Sequence, residues 1–137
     1  MTTVSRGGRE RLLLWSPVAL LLGFEFYLSS QSKLPEIPFA SGIPGFDKIE
    51  HAGFFFLVGL LAVRAACFCE GWAGWRTALT LLPGALGWGV LDEFHQSFVP
   101  GRSVEAGDVA ADVAGVLLAV LFGERLWRLL RMDHVPR

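Results

Sequence analysis

Four long apolar blocks dominate this chain of 137 residues, and each is about as long as the hydrocarbon core of a lipid bilayer is thick. A helix that spans a bilayer needs roughly 20 mostly apolar residues. Strands are disfavoured, because Leu and Ala dominate the blocks and no alternating pattern persists. The sequence therefore predicts four membrane-spanning helices, at Leu12–Leu28, Ala52–Cys69, Trp75–Phe94 and about Glu105–Phe122.

The third and fourth blocks reach this length only if their acidic ends belong to the helices. Taken alone, Ala78–Leu91 and Val109–Phe122 are also typical of buried helices in a soluble protein. The first two blocks have clear membrane length and favour the membrane interpretation for all four. We therefore expect an all-α fold, a bundle of four transmembrane helices formed by one membrane domain over residues 1–137.

The composition narrows the classes of protein that remain. Hydrophobic residues make up 53% of the chain and charged residues 18%, which is too apolar for a soluble domain of this size. The net charge of −1 provides no basic surface for a phosphate backbone, so no nucleic-acid partner is expected. The lipid bilayer is the first partner that the sequence predicts.

Lysine and arginine are unevenly divided between the two ends of the predicted bundle. If the N-terminus is cytoplasmic, the outer side carries only Lys33, Lys48 and Arg102. The positive-inside rule favours this orientation, with both termini in the cytoplasm. The inner side then carries Arg6, Arg9, Arg11, Arg64, Arg76, Arg125, Arg128, Arg131 and Arg137.

Acidic residues gather at the outer ends of the spans. Ionisable groups at membrane depth are expensive and usually face a cavity or a partner. Of these acids, we expect Glu36, Glu50 and Glu105 to be solvated at the interface. Nine of the 13 acids belong to this outer group: Glu25, Glu36, Asp47, Glu50, Asp92, Glu93, Glu105, Asp108 and Asp112.

Helical spacing pairs several of these acids with other polar residues. Asp47 and His51 are four residues apart, so the carboxylate can hold the imidazole in one orientation. An N-cap role for Asp47 is compatible with that pairing. Asp92 precedes His95 and Gln96 by three and four residues, which places all three on one side of a helix.

The remaining polar candidates lie next to the same end. Glu93 should point about 100° away from Asp92, its neighbour in the chain. Asp108 and Asp112 share a helix face that continues through small residues and should pack inward. Arg102 is the natural counter-ion for these acids, or a fork for a phosphate or carboxylate ligand.

Together these residues predict a polar site in the outer half of the bundle. A purely structural polar network is the competing interpretation, since helix bundles use buried polar residues as glue. No metal-binding motif such as HExxH is present, so the sequence assigns neither a metal nor a cofactor. The predicted site comprises Asp47, His51, Asp92, Glu93, His95, Gln96, Arg102, Asp108 and Asp112.

The same residues carry a resemblance to the VanZ-like family. The specific part is Asp92-Glu93 followed by Gln96, Pro100-Gly101-Arg102 and Asp108, and it is supported by Ser29-Ser30-Gln31 and by Asp47-Lys48-Ile49-Glu50-His51. The match covers about Leu12 to Phe122. The family's last motif resembles D-x-x-x-N-x-x-G, and this chain has Asp112 where the amide is usual.

The resemblance implies a small multi-pass protein of the bacterial cytoplasmic membrane, in a family associated with low-level resistance to teicoplanin-type glycopeptides. No reaction is established by this resemblance. It adds Gln31 and Lys48 to the candidate ligand-binding residues, beside His95, Gln96, Arg102, Asp108 and Asp112.

Three functional hypotheses follow from the predicted site. The first is an envelope factor that binds a lipid-linked cell-wall precursor, the lipid tail of the antibiotic or another anionic ligand. The second is a hydrolase or transferase of phospholipids or polyprenyl phosphates. There Arg102 clamps the phosphate, His51 or His95 acts as base or acid, and Asp47 orients the histidine. Paired acids can instead hold a divalent cation, and Asp92 and Glu93 are the further candidate catalytic residues. The third is a proton-coupled carrier in which Asp92 and Glu93 share a proton. A carrier of four helices would be expected to form a homo-oligomer.

Overall fold

The structure is a computed structural model that describes residues 7–33 and 43–132. Within these residues it contains helices and no strand, so the all-α prediction is confirmed. The predictions for Arg6, Glu36 and Arg137 lie outside the described residues. The elements are α1 (Gly8–Ser29), α2 (Phe46–Ala65) with a π-helical turn at Ala66–Glu70, α3 (Trp75–Gln96) and α4 (Ala106–Met132).

The helices extend beyond the apolar blocks that predicted them. α2 begins at Phe46 rather than at Ala52, and α4 continues to Met132 rather than ending at Phe122. Both extensions contain several charged residues, and these lower the hydropathy that was used to define the apolar blocks. The acidic ends of α3 and α4 are helical, as the four-helix interpretation requires.

Three helices are long and apolar enough to cross a membrane: α1, α2 with its π-helical turn, and α4. Large apolar side chains are exposed more often than buried, among them Leu20 at 72% and Phe24 at 52%. Such a surface is stable in lipid and not in water. The chain is therefore a multi-pass membrane protein. α3 has the length of a span but is less apolar, so its place as a fourth span remains a prediction, as does the orientation of the termini.

α2 and α4 form the closest pair of helices, and glycines permit that closeness. A Cβ on Gly115 of α4 would overlap the carbonyl oxygen of Ala52 and the amide nitrogen of Phe56 on α2. One on Gly59 of α2 would lie 2.6 Å from the Cβ of Ala119. Small residues let helix backbones approach in this way in membranes.

The helices alternate in direction, so the C-terminal ends of α1 and α3 meet the N-terminal ends of α2 and α4. We call this end of the bundle the polar end. The opposite end is joined by Arg11 with Glu70 at 2.9 Å and by the amide of Gly74 with Glu124 at 2.5 Å. All the predicted site residues lie at the polar end or in the loop beside it.

Candidate functional site

Lys48, in the first turn of α2, is surrounded by carboxylates at the polar end. Its Nζ lies 2.6 Å from Asp47, 2.5 Å from Glu105 and 2.6 Å from Asp108. The three carboxylates are close enough together to ligate one cation, and the chain's own ammonium lies among them. The hydrogen bond from Lys48 lowers the pKa of the exposed Glu105 carboxyl, with a smaller contribution from Ser103. This cluster joins α2 to the start of α4.

His51 is held by α4 and not by its own helix. Its Nδ1 donates to the carboxylate of Asp112 at 2.8 Å, and its Nε2 lies 3.8 Å from Asp108. The expected pairing of His51 with Asp47 is therefore wrong. Asp47 turns to Lys48 instead, and it is exposed and makes no N-cap hydrogen bond, since Gly45 occupies the N-cap position.

The inward face predicted for α4 is observed. Asp108 and Asp112 are 8% and 3% exposed, and Ala119 farther along the same face is fully buried. Gly89 of α3 makes room for this face, because a Cβ there would lie 3.2 Å from Oδ2 of Asp112.

Asp92 and Glu93 are both buried, and they face different partners. Asp92 accepts a hydrogen bond from Gln96 at 2.6 Å, as the four-residue spacing predicts. Glu93 accepts from the backbone amide of Glu105 at 2.6 Å, beyond the loop that follows α3. The two neighbours therefore do not form the proton-sharing pair that the carrier hypothesis expects. Acids of two other helices interact with Asp92: Glu25 of α1 and Asp112 of α4.

Arg102 forms no ion pair with an acid among the described residues of the polar end. Its Nε donates to the carbonyl of Gln31 at 3.0 Å and a terminal nitrogen donates to the carbonyl of Leu28 at 2.9 Å. The expected role as counter-ion is therefore wrong. A helix leaves its last carbonyls without partners in the helix, and Arg102 supplies donors to them at the end of α1.

His95 and Gln31 also secure the end of α1. His95 Nε2 donates to Ser30 Oγ at 2.9 Å, and its ring stacks on Phe26 at 4.3 Å between centroids. His95 therefore lies away from Asp92, although the spacing allowed a contact between them. The side chain of Gln31 donates to the carbonyl of Tyr27 within α1 at 3.0 Å.

A cavity of about 300 Å³ lies between these elements at the polar end. One part of its wall is polar and the other is apolar. Arg102 is a basic member of this wall, and its Nε and one terminal nitrogen bond carbonyls of the α1 end. The lining residues are Glu25, Leu28, Ser29, Asp47, Glu50, His51, Phe54, Phe55, Gln96 and Arg102.

Three polar residues of the cavity wall, Glu25, Ser29 and Glu50, were absent from the predicted site. Glu50 was expected to be solvated, and it is exposed. Glu25 accepts a hydrogen bond from Trp88 Nε1 at 2.8 Å, deep within α1. A carboxylate inside a Leu-rich span was the signal that could have identified it, because such groups normally face a cavity. Ser29 is 3% exposed, and its signal in the sequence was its place in the Ser29-Ser30-Gln31 part of the family resemblance.

The sequence model of the VanZ/LLP1 family matches residues 7–128, which is most of the chain. The chain belongs to the VanZ/LLP1 family. No curated protein and no solved structure matches it.

The motif residues of this VanZ/LLP1 chain meet at the polar end although they come from four helices. The glycine of its last motif, Gly115, is the point of closest approach between α2 and α4. Asp112 stands where an amide is usual, and an asparagine oxygen could accept the same hydrogen bond from His51. Aspartate in place of the amide therefore keeps the hydrogen bond with His51 and adds a carboxylate.

Proposed function

We propose that this VanZ/LLP1 chain is a bacterial cell-envelope factor whose polar end faces outward and binds the polar part of an amphiphilic ligand. Family membership and the resemblance described above suggest a contribution to tolerance of teicoplanin-type glycopeptides. The ligand would be a lipid-linked cell-wall precursor, a phospholipid or the antibiotic itself.

The observation that carries the proposal is a cavity with both polar and apolar walls, lined in part by Glu25, a half-buried acid inside the apolar helix α1. A carboxylate at such a position is costly in lipid and is usually retained for function. A structural network would leave no space among its side chains, whereas here about 300 Å³ remains open beside Phe54 and Phe55. Sites for small molecules are commonly concave and mostly apolar with a few polar groups.

Cells that depend on this chain for glycopeptide tolerance provide the test. Asp92→Asn removes a buried charge beside the cavity, and Arg102→Ala removes the donors at the end of α1. Both variants should lower tolerance to that of cells lacking the chain, at unchanged abundance in the membrane. Glu70→Gln changes an acid at the opposite end of the bundle and should leave tolerance intact. Full tolerance in both polar-end variants would contradict the proposal.

A second function, catalysis on a lipid phosphate, is favoured by the dyad of His51 and Asp112. A carboxylate that holds Nδ1 of a histidine leaves Nε2 available for proton transfer, and His51 lines the cavity. Asp112 would take the orienting role first expected of Asp47. Against a phosphate substrate stands Arg102, two of whose donor groups bond backbone carbonyls of α1.

Turnover by purified protein separates this second function from the first. Release of phosphate or headgroup from a panel of phospholipids and polyprenyl phosphates, with and without Mg²⁺, should be abolished by His51→Ala if the dyad is catalytic. No turnover across that panel would exclude a phosphate hydrolase and leave binding as the function.

A further inference from the structure

We propose that the cavity at the polar end selects a ligand that carries an ammonium group on an apolar chain. The inference rests on the proposed function and names the chemistry of its ligand. It departs from the anionic ligand that the sequence suggested, because the charges around the cavity have the wrong sign for an anion.

Negative charge is in excess among the described residues of the cavity wall. Glu25, Asp47 and Glu50 contribute carboxylates. Two of the wall residues are paired with an opposite charge from outside the wall, Asp47 with Lys48 and His51 with Asp112. Arg102 keeps its charge, because the groups that it bonds are neutral carbonyls. Glu25 and Glu50 therefore outnumber the one arginine on the wall. An anion entering here would meet like charges, whereas a cation would reduce their repulsion.

A buried hydroxyl without a partner gives a second, independent indication. Among the described residues, no hydrogen-bond partner reaches Oγ of Ser29, which is 3% exposed and lines the cavity directly. Buried polar atoms normally have partners, so this oxygen can accept a hydrogen bond from a group that enters the cavity. An ammonium group offers three donors, enough for this hydroxyl and for carboxylates beside it.

The apolar wall explains why an organic cation suits the cavity better than a metal ion. Phe54 and Phe55 lie edge to face at 5.8 Å and border the same space, and aromatic faces attract alkylammonium groups. A hard divalent cation would require several converging carboxylates. The three carboxylates that do converge, Asp47, Glu105 and Asp108, surround Lys48, which shows the same end of the bundle already binding an ammonium group.

The test measures how strongly purified full-length protein in a nonionic detergent binds three amphiphiles of equal chain length: octylammonium, octanol and octyl phosphate. Isothermal titration calorimetry should show octylammonium binding at least about tenfold more tightly than the other two, the gain expected from one charge-assisted contact. Glu25→Gln should weaken octylammonium binding about tenfold, because the amide still accepts from Trp88 but carries no charge.

Glu70→Gln is the matched control, since it makes the same change at the opposite end of the bundle. The partitioning of octylammonium into micelles is the same for every protein variant, so it cancels when the variants are compared. If Glu25→Gln fails to fold, the exposed Glu50→Gln replaces it, and a loss of about threefold supports the inference. If either folded variant, Glu25→Gln or Glu50→Gln, binds octylammonium as tightly as the wild type does, the inference is overturned.

The outcomes separate this inference from the proposed function. Equal or tighter binding of octanol or octyl phosphate overturns ammonium selectivity and leaves an amphiphile site intact. If none of the three probes binds and the polar-end variants keep full glycopeptide tolerance, the proposed function fails as well. Phosphatidylethanolamine that copurifies with the wild type and not with Glu25→Gln would identify a lipid headgroup as the source of the ammonium. Octylammonium binding without copurifying lipid would identify a soluble amine.

Discussion

The imidazole of His51 lies between two aspartates of α4, and the two contacts differ in kind. The contact with Asp112 is a hydrogen bond at 2.8 Å, while Asp108 lies at 3.8 Å and acts through its charge. A histidine in a half-buried site needs its donor satisfied, because an unpaired polar group there costs free energy. Asp112 therefore fixes the position of His51, and the charge of Asp112 is a separate contribution.

Substitutions at Asp112 should separate the hydrogen bond from the charge. Asp112→Asn keeps an oxygen that accepts from His51, so the free energy of unfolding should change by less than about 1 kcal/mol. Asp112→Ala leaves the half-buried imidazole without its partner and should cost about 1–3 kcal/mol. Unfolding in detergent, followed by tryptophan fluorescence, gives both values. Equal losses for the two variants would mean that the charge, and not the hydrogen bond, holds His51.

The carboxyl of Glu105, just before α4, makes the stability of the folded protein depend on pH. Its pKa is lowered in the folded protein, chiefly by the hydrogen bond from Lys48. A carboxyl with a depressed folded pKa stabilises the fold above its ordinary pKa and loses that contribution as pH falls through the folded value. The difference in thermal midpoint between wild type and Glu105→Gln should therefore shrink from about pH 7 to pH 3. In a Lys48→Met background the same substitution should show a much weaker trend, the part that the hydrogen bond from Ser103 contributes.

For the helices, the periodicity of the sequence predicted correctly which residues share one face. It did not predict which residue of another helix each of them contacts. The spacing of Asp108, Asp112 and Ala119 predicted one inward face, because a helix fixes which residues share a side. The partner of His51 could not be predicted in the same way. Asp47 has suitable spacing within α2, but packing of α4 against α2 brings Asp112 to the imidazole and Lys48 captures Asp47.

The hydrogen-bond partners of the helix ends could not be predicted from the sequence either. Arg102 suggested a counter-ion because acids are its usual partners, yet the structure places it against the carbonyls of Leu28 and Gln31. Unpaired backbone groups at a helix end do not appear in a sequence pattern, since every residue carries them. For the same reason the cavity and the role of Glu25 in its wall became visible only in the packed bundle.

The close contact between α2 and α4 makes a further prediction about glycine. Gly115→Ala would force a Cβ into the backbone of Ala52 and Phe56, so it should destabilise the protein by about 1–3 kcal/mol. Gly53 of α2 has open space where a Cβ would go, so Gly53→Ala is the matched control. It should be neutral or stabilising by up to about 1 kcal/mol. Similar losses for both variants would show that helix propensity and not interhelical distance dominates.

For the whole molecule, the direction in which the bundle sits in the membrane decides whether the polar end meets the cell envelope or the cytosol. Basic side chains concentrate at the opposite end, where Arg11, Arg64 and Arg128 lie, and only Lys33, Lys48 and Arg102 accompany the polar end among the described residues. The positive-inside rule then predicts that the polar end faces the outside. The proposed function depends on this orientation, whereas the fold does not.

Cysteine labelling of intact cells tests the orientation directly. In a background with Cys67→Ser and Cys69→Ser, Ser103→Cys introduces a thiol in the exposed loop after α3, and Ala73→Cys introduces one in the exposed turn before it. A membrane-impermeant maleimide should label Ser103→Cys in intact cells and Ala73→Cys only after permeabilisation. Because the two positions flank the same helix, this pattern also requires α3 to cross the membrane. Labelling of both variants in intact cells would mean that α3 does not span, and the reverse pattern would place the cavity in the cytosol, where it could not meet an extracytoplasmic ligand.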